Sequence, residues 1–117
     1  MATSPAGTKI VRSLSRYGRE AVIVLGQRIR LNRISRKLTI QELADRVGVS
    51  PDLIKRIEGG DPRCGIGLVF EAATVVGVTL FEEDREQLHR RRLEQDEKLS
   101  LLPRSIRKPQ RVVKDDF

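Results

Sequence analysis

The sequence has no tryptophan, one cysteine and one histidine among its 117 residues. A single cysteine excludes an intramolecular disulfide framework. Cys64 and His89 together leave too few sulfur and nitrogen ligands for a zinc site or another metal centre, and neither has a partner nearby in sequence. Aromatics make up 3% of the chain, as Tyr17, Phe70, Phe81 and Phe117. That is no set of stacking rings of the kind single-stranded RNA binding uses. The longest apolar run, Ala21 to Leu25, is far short of the roughly 20 residues a membrane span needs. No signal-peptide core is visible, so a cytosolic protein is expected. The Arg- and Ser-containing, acid-free start also has the composition of an organelle transit peptide, but it is short and weakly amphipathic. With no glycine-rich phosphate loop and no nucleophile–base pair, the residues argue against an enzyme and call for no cofactor.

What the chain has in excess is positive charge, +7 in all, and it is unevenly placed. Residues 1–19 carry +4 with no acid, residues 20–63 carry +3, residues 64–102 carry −3 and residues 103–117 carry +3. Residues 20–102 therefore sum to zero. A basic half beside an acidic half suggests one face for a polyanion and another for something else. The alternative for the two ends is plain solvation.

Met1 to Gly18 mixes Thr, Ser, Pro, Gly and scattered Arg without a sustained apolar period, so residues 1–19 read as a flexible basic arm. Pro103 to Phe117 contains two prolines and reads as an extended basic tail. The chain between is helical. Val22, Leu25 and Ile29 follow an i, i+3, i+7 spacing that predicts a helix from about Glu20 to Arg36. Thr39-Ile40-Gln41-Glu42 is a capping box, opening a second helix that buries Ile40, Leu43, Ala44 and Val47. Gly48 ends it by supplying a left-handed residue. Ser50-Pro51 starts a third helix, Ser as N-cap and Pro where no amide is needed, with Leu53, Ile54 and Ile57 inward. Gly59-Gly60 stops it. Leu68, Val69, Ala72, Ala73 and Val76 predict a fourth helix whose apolar side is core, ending at Gly77. A charge-dense fifth helix is expected over about Glu83 to Leu101. Nothing alternates with period two, so the fold is expected to be all-α, with a domain over 20–80 and the charged helix within 81–102.

The second and third helices are too short to be stable alone and must share a core. Ala44 lets them approach, Gly48 turns the chain, and Ile54 closes the inner face. These fall at the first, fifth and eleventh places of an eleven-residue window, the spacing of a helix-turn-helix whose second helix enters the DNA major groove. The run IRLNRISRKLTIQELADRVGVSPDLIKRIEGGDP resembles the phage-repressor-type (Cro/C1, or Xre) helix-turn-helix family. The continuation GDPRCGIGLVFEAATVVGVTLF, the charged helix and the tail LLPRSIRKPQRVVKDDF resemble the HipB-like antitoxins. Members of that group pair with HipA-type Ser/Thr protein kinases in two-gene toxin–antitoxin operons.

The resemblance assigns base reading to Ser50, Pro51, Asp52, Lys55 and Arg56, the outward and N-terminal positions of the third helix. Arg can bond guanine O6 and N7 bidentately. Asp52 could accept from cytosine N4 or merely complement the helix dipole, and Pro51 offers only an apolar contact. Gln41 matches a position that bonds a backbone phosphate at a helix N-terminus, with Arg28, Arg36, Lys37 and Arg63 as further phosphate candidates. Arg33 and Glu58 match positions that form an internal ion pair. The apolar start of the first helix and the fifth helix suggest a two-fold homodimer on half-sites about 34 Å apart; the alternative is that Val22 and Val24 cover the monomer core. Val112, Val113 and Phe117 are candidates for docking the kinase, against the reading of a disordered, proteolysis-prone end. The expectation is a dimeric repressor of double-stranded DNA acting as antitoxin to a HipA-type kinase. The alternatives are a stand-alone regulator, or a protein-interaction module that reads no DNA.

Overall fold

A computed structural model describes residues 13–109 of the chain. It contains five helices, and no strand occurs among the described residues: α1 (Arg16–Ser35), α2 (Ile40–Val47), α3 (Pro51–Glu58), α4 (Ile66–Val75) and α5 (Arg85–Ser100). The chain divides between Leu80 and Phe81 into two compact units. The first holds α1 to α4 and the second holds α5.

The first unit is built on the predicted inward positions. Ile29 from α1, Leu43 and Ala44 from α2, Ile54 and Ile57 from α3, and Ala72, Ala73 and Val76 from α4 and its cap form the core. Leu25, Ile40, Val47, Leu53 and Val69 pack against it half-buried. Leu68 departs from the expectation. It is 39% exposed, because the core face of this ten-residue helix is covered by Ala72, Ala73 and Val76, and Leu68 lies off that stripe.

Helix α1 also begins earlier than its apolar period suggests. The Ser15 hydroxyl accepts from the Gly18 amide at 3.0 Å and caps the helix at Arg16. Residues 16–19 thus belong to α1, not to the flexible arm expected over residues 1–19. Extending an anchored helix adds a hydrogen bond per residue without a new nucleation cost. Those residues bury little, with Tyr17 86% exposed, so they carry no apolar period. Further along, Gly26 faces the end of α3 so closely that a Cβ there would collide with the carbonyl oxygens of Ile57 and Glu58. The two backbones touch because no side chain separates them.

The helices stop in one recurrent way. A residue with positive φ follows each of α1 to α4, and the next amide reaches back into the last turn. Val49 donates to Ala44 after Gly48, Asp61 to Arg56 after Gly60, and Val78 to Ala73 after Gly77. At the end of α1 this place is taken by Lys37 at φ 60°, with Leu38 donating to the Arg33 carbonyl at 3.1 Å. Asn32 adds a side-chain bond of 3.1 Å to the Val76 carbonyl and satisfies the end of α4.

In the second unit, Asp84 and Gln87 form a capping box that opens α5, and Arg91 pairs with Glu83. No residue of α5 is buried. Residues 103–109 hold no helix or strand.

Candidate nucleic-acid interface

Local chemistry sets α2 and α3 at a tight turn. The Thr39 hydroxyl accepts from the Glu42 amide at 3.0 Å, and the Glu42 carboxylate accepts from the Thr39 amide at 2.8 Å. Gly48 supplies the left-handed turn at φ 86°. The Ser50 hydroxyl then accepts from the Leu53 amide at 3.2 Å, and Pro51 opens α3. Leu43, Ala44 and Ile54 are fully buried between the two helices. The side of α3 turned away from this core presents Ser50, Asp52, Lys55 and Arg56, all exposed, while Pro51 is half-buried. Ser50 keeps its hydroxyl proton for a further bond, since capping uses it only as an acceptor.

Arg33 and Glu58 lock α1 to the end of α3. Arg33 Nε and Nη2 donate to Glu58 Oε2 and Oε1 at 2.6 and 3.0 Å, and Nη1 donates to the Leu38 carbonyl at 2.9 Å. Each residue is only 8% exposed. Donating to Glu58 raises the Arg33 pKa against the opposing effect of burial, so the guanidinium keeps its charge. All three nitrogens of Arg33 point inward, and the pair fixes the orientation of α3.

Asp61 is the residue that sequence reasoning missed. Gly60, at φ 77°, turns the chain so that the Asp61 amide bonds the Arg56 carbonyl at 3.0 Å. This places the Asp61 carboxylate beside the Arg56 side chain, whose Nε donates to Oδ2 at 3.2 Å. Arg63 closes from the other side. Its amide and Nε donate to Oδ1 at 2.9 and 3.1 Å, and its Nη2 donates to Oδ2 at 3.1 Å. The bonds from Arg63, then that from Arg56, hold the Asp61 carboxyl well below the usual carboxylate range. The carboxylate is 15% exposed while the side chains of Arg56 and Arg63 are 51% and 68% exposed. One base-reading candidate and one phosphate candidate are therefore tied to a single anion. The legible signal was Asp61-Pro62-Arg63, in which an Asp side chain accepts from the amide two residues on.

The remaining candidates are more scattered. Gln41 is exposed at the start of α2 and donates to Asp45 at 2.9 Å. Arg28 is exposed on α1, and Lys37 is exposed in the turn after it. The Arg36 guanidinium is drawn to Gly77 at the end of α4, where a Cβ would strike it. Val112, Val113 and Phe117 lie outside the described residues. An apolar hollow of about 270 Å³ is lined by Val22, Leu25, Ile57, Cys64 and Val69, among others. Burial there pushes the Cys64 thiol up. Among the described residues no His, Cys, Asp and Glu cluster could hold a metal ion, and no helix is long and apolar enough to cross a membrane.

A family model for a helix-turn-helix domain matches residues 24–88, more than half of the chain. No curated protein and no solved structure matches the chain significantly. The matched span takes in α1 from its exposed Val24, both helices of the tight pair, the Asp61 turn and α4. The chain belongs to the helix-turn-helix domain family.

Proposed function

We propose that this protein is a sequence-specific repressor of double-stranded DNA that binds an inverted-repeat operator as a homodimer. One observation carries the reading. α3 is held rigidly by the α2 pair and by Arg33–Glu58 while Ser50, Asp52, Lys55 and Arg56 stay exposed along its outer side. A rigid helix bearing donors on its free side is what the major groove admits. Because residues 20–102 are electrically neutral as a whole, attraction to DNA rests on where those few cations point. Ser50, Pro51, Asp52, Lys55 and Arg56 read base edges in this proposal; Gln41, Arg28, Lys37, Arg36 and Arg63 meet phosphates. Binding of the full chain to duplex DNA should weaken linearly on a log–log plot against salt, with a slope of about −0.9 per phosphate neutralised. Binding that ignores salt would favour a protein-interaction module without DNA readout.

The finer proposal is that the repressor is the antitoxin of a HipA-type Ser/Thr kinase and autoregulates a two-gene operon. Its support is the resemblance of residues 60–81, of the charged helix and of the basic tail to HipB-like antitoxins. Co-expression with the product of the adjacent gene should yield a complex that co-purifies and lacks kinase activity. A neighbouring gene of another kind would leave a stand-alone regulator.

A further inference from the structure

We propose that Asp61 is a positioning residue for DNA readout, which clasps Arg56 by Nε and Arg63 by Nε and Nη2 and so aims their remaining nitrogens. This inference rests on the DNA-binding reading and goes beyond it, because Asp61 itself need touch no DNA. The donors show how the clasp works. Arg56 gives only Nε to the carboxylate, so both terminal nitrogens stay available as the fork that matches guanine O6 and N7. Arg63 gives Nε and Nη2, which leaves its Nη1 edge for a phosphate. The Asp61 side chain is 15% exposed, against 51% and 68% for those of Arg56 and Arg63. The anion therefore lies behind the cations.

Two opposing effects follow from the same carboxylate. Its charge weakens the pull of this face on any phosphate. Its hydrogen bonds remove rotamer freedom from two long side chains before DNA arrives, so less ordering is left to the bound state. Charge acts on every sequence alike, whereas aim acts only on the right one. Asp61 thus lowers general affinity and raises selectivity, and the two can be measured apart.

The test uses the full-length chain and two probes: an unselected duplex pool, and the duplex that the wild type enriches from that pool. Asp61→Asn should bind the unselected pool more tightly, while its preference for the enriched duplex should fall about tenfold. Asp61→Glu, which keeps the charge but displaces it, should return pool affinity to the wild-type level without restoring the preference. Thermal melting of each variant confirms that it is folded. An Asn variant that keeps its preference within about twofold overturns the positioning role. Arginine Nε–H NMR signals of the free protein give a readout without DNA. Those of Arg56 and Arg63 should be shifted and slowly exchanging in the wild type and should lose both properties in Asp61→Asn. Averaged signals in the wild type overturn the clasp itself. Clasped signals in a wild type that binds no duplex defeat the DNA-binding reading and the positioning role with it.

Discussion

Removing one member of the Arg33–Glu58 pair leaves the other as a buried, uncompensated charge. Arg33→Met should therefore cost about 3–5 kcal/mol in urea unfolding, and the double replacement Arg33→Met with Glu58→Leu should cost less than either change alone. Lys37 presents the opposite case. It holds a left-handed conformation that costs an L-residue about 1–2 kcal/mol, part of which glycine recovers. Lys37→Gly should raise the melting temperature while lowering affinity for duplex DNA, because the cation goes with the strain. The Asp61 clasp has its own pH signature. Its carboxyl is held below the ordinary range, so its contribution is present above the unfolded-state pKa and is lost only as pH falls through the depressed folded one. Selectivity for the enriched duplex, measured from about pH 8 to about pH 5, should thus stay flat as far as Asp61 is concerned.

At the scale of the element, the sharpest dependence is the bare contact between α1 and the end of α3. Gly26→Ala would force the two backbones apart and should destabilise the protein by about 1–3 kcal/mol, the range for overpacking a close-fitting core, measured by the same unfolding experiment. The pair of α2 and α3 was legible because its signals are local: the Thr39 box, the Gly48 turn and the Ser50-Pro51 start each act within a few residues. Gly26 was not, because what it meets lies on another helix. The same holds for Leu68, whose apolar character says nothing of which neighbours reach the core first. The start of α1 was obscured for a different reason. Its first turn buries almost nothing, so a search for apolar period passes over it while Ser15 caps it. In the candidate interface, the exposed positions of α3 could be read from their polar pattern, but the partner that ties Arg56 could not. A helix stop and a loop acid give no hint of sharing a hydrogen-bond network until the chain has turned.

Across the whole molecule, stability is concentrated in the first unit. Its core draws on four helices, while α5 buries none of its residues. Hydrogen exchange on the full chain at low concentration should show protection from α1 to α4 and rapid exchange throughout α5. If the homodimer uses α5, protection there should rise with protein concentration while the first unit stays unchanged. The charge layout divides the chain elsewhere, with +3 over residues 20–63 and −3 over residues 64–102. Replacing Lys55 with Met should therefore weaken duplex binding and reduce the salt slope by up to about one unit if that cation meets a phosphate, but relax base preference if it reads an edge.

Gly60 connects these scales. Its left-handed turn ends α3, and a Cβ there would press on Ile23 at about 3.0 Å, so the position tolerates little besides glycine. The same turn delivers the carboxylate that holds Arg56. If Asp61 aims Arg56 as proposed, two chains with identical α3 sequences that differ at residue 61 would prefer different operators. Operator preference would then diverge by changes that leave every outward residue of α3 as it was.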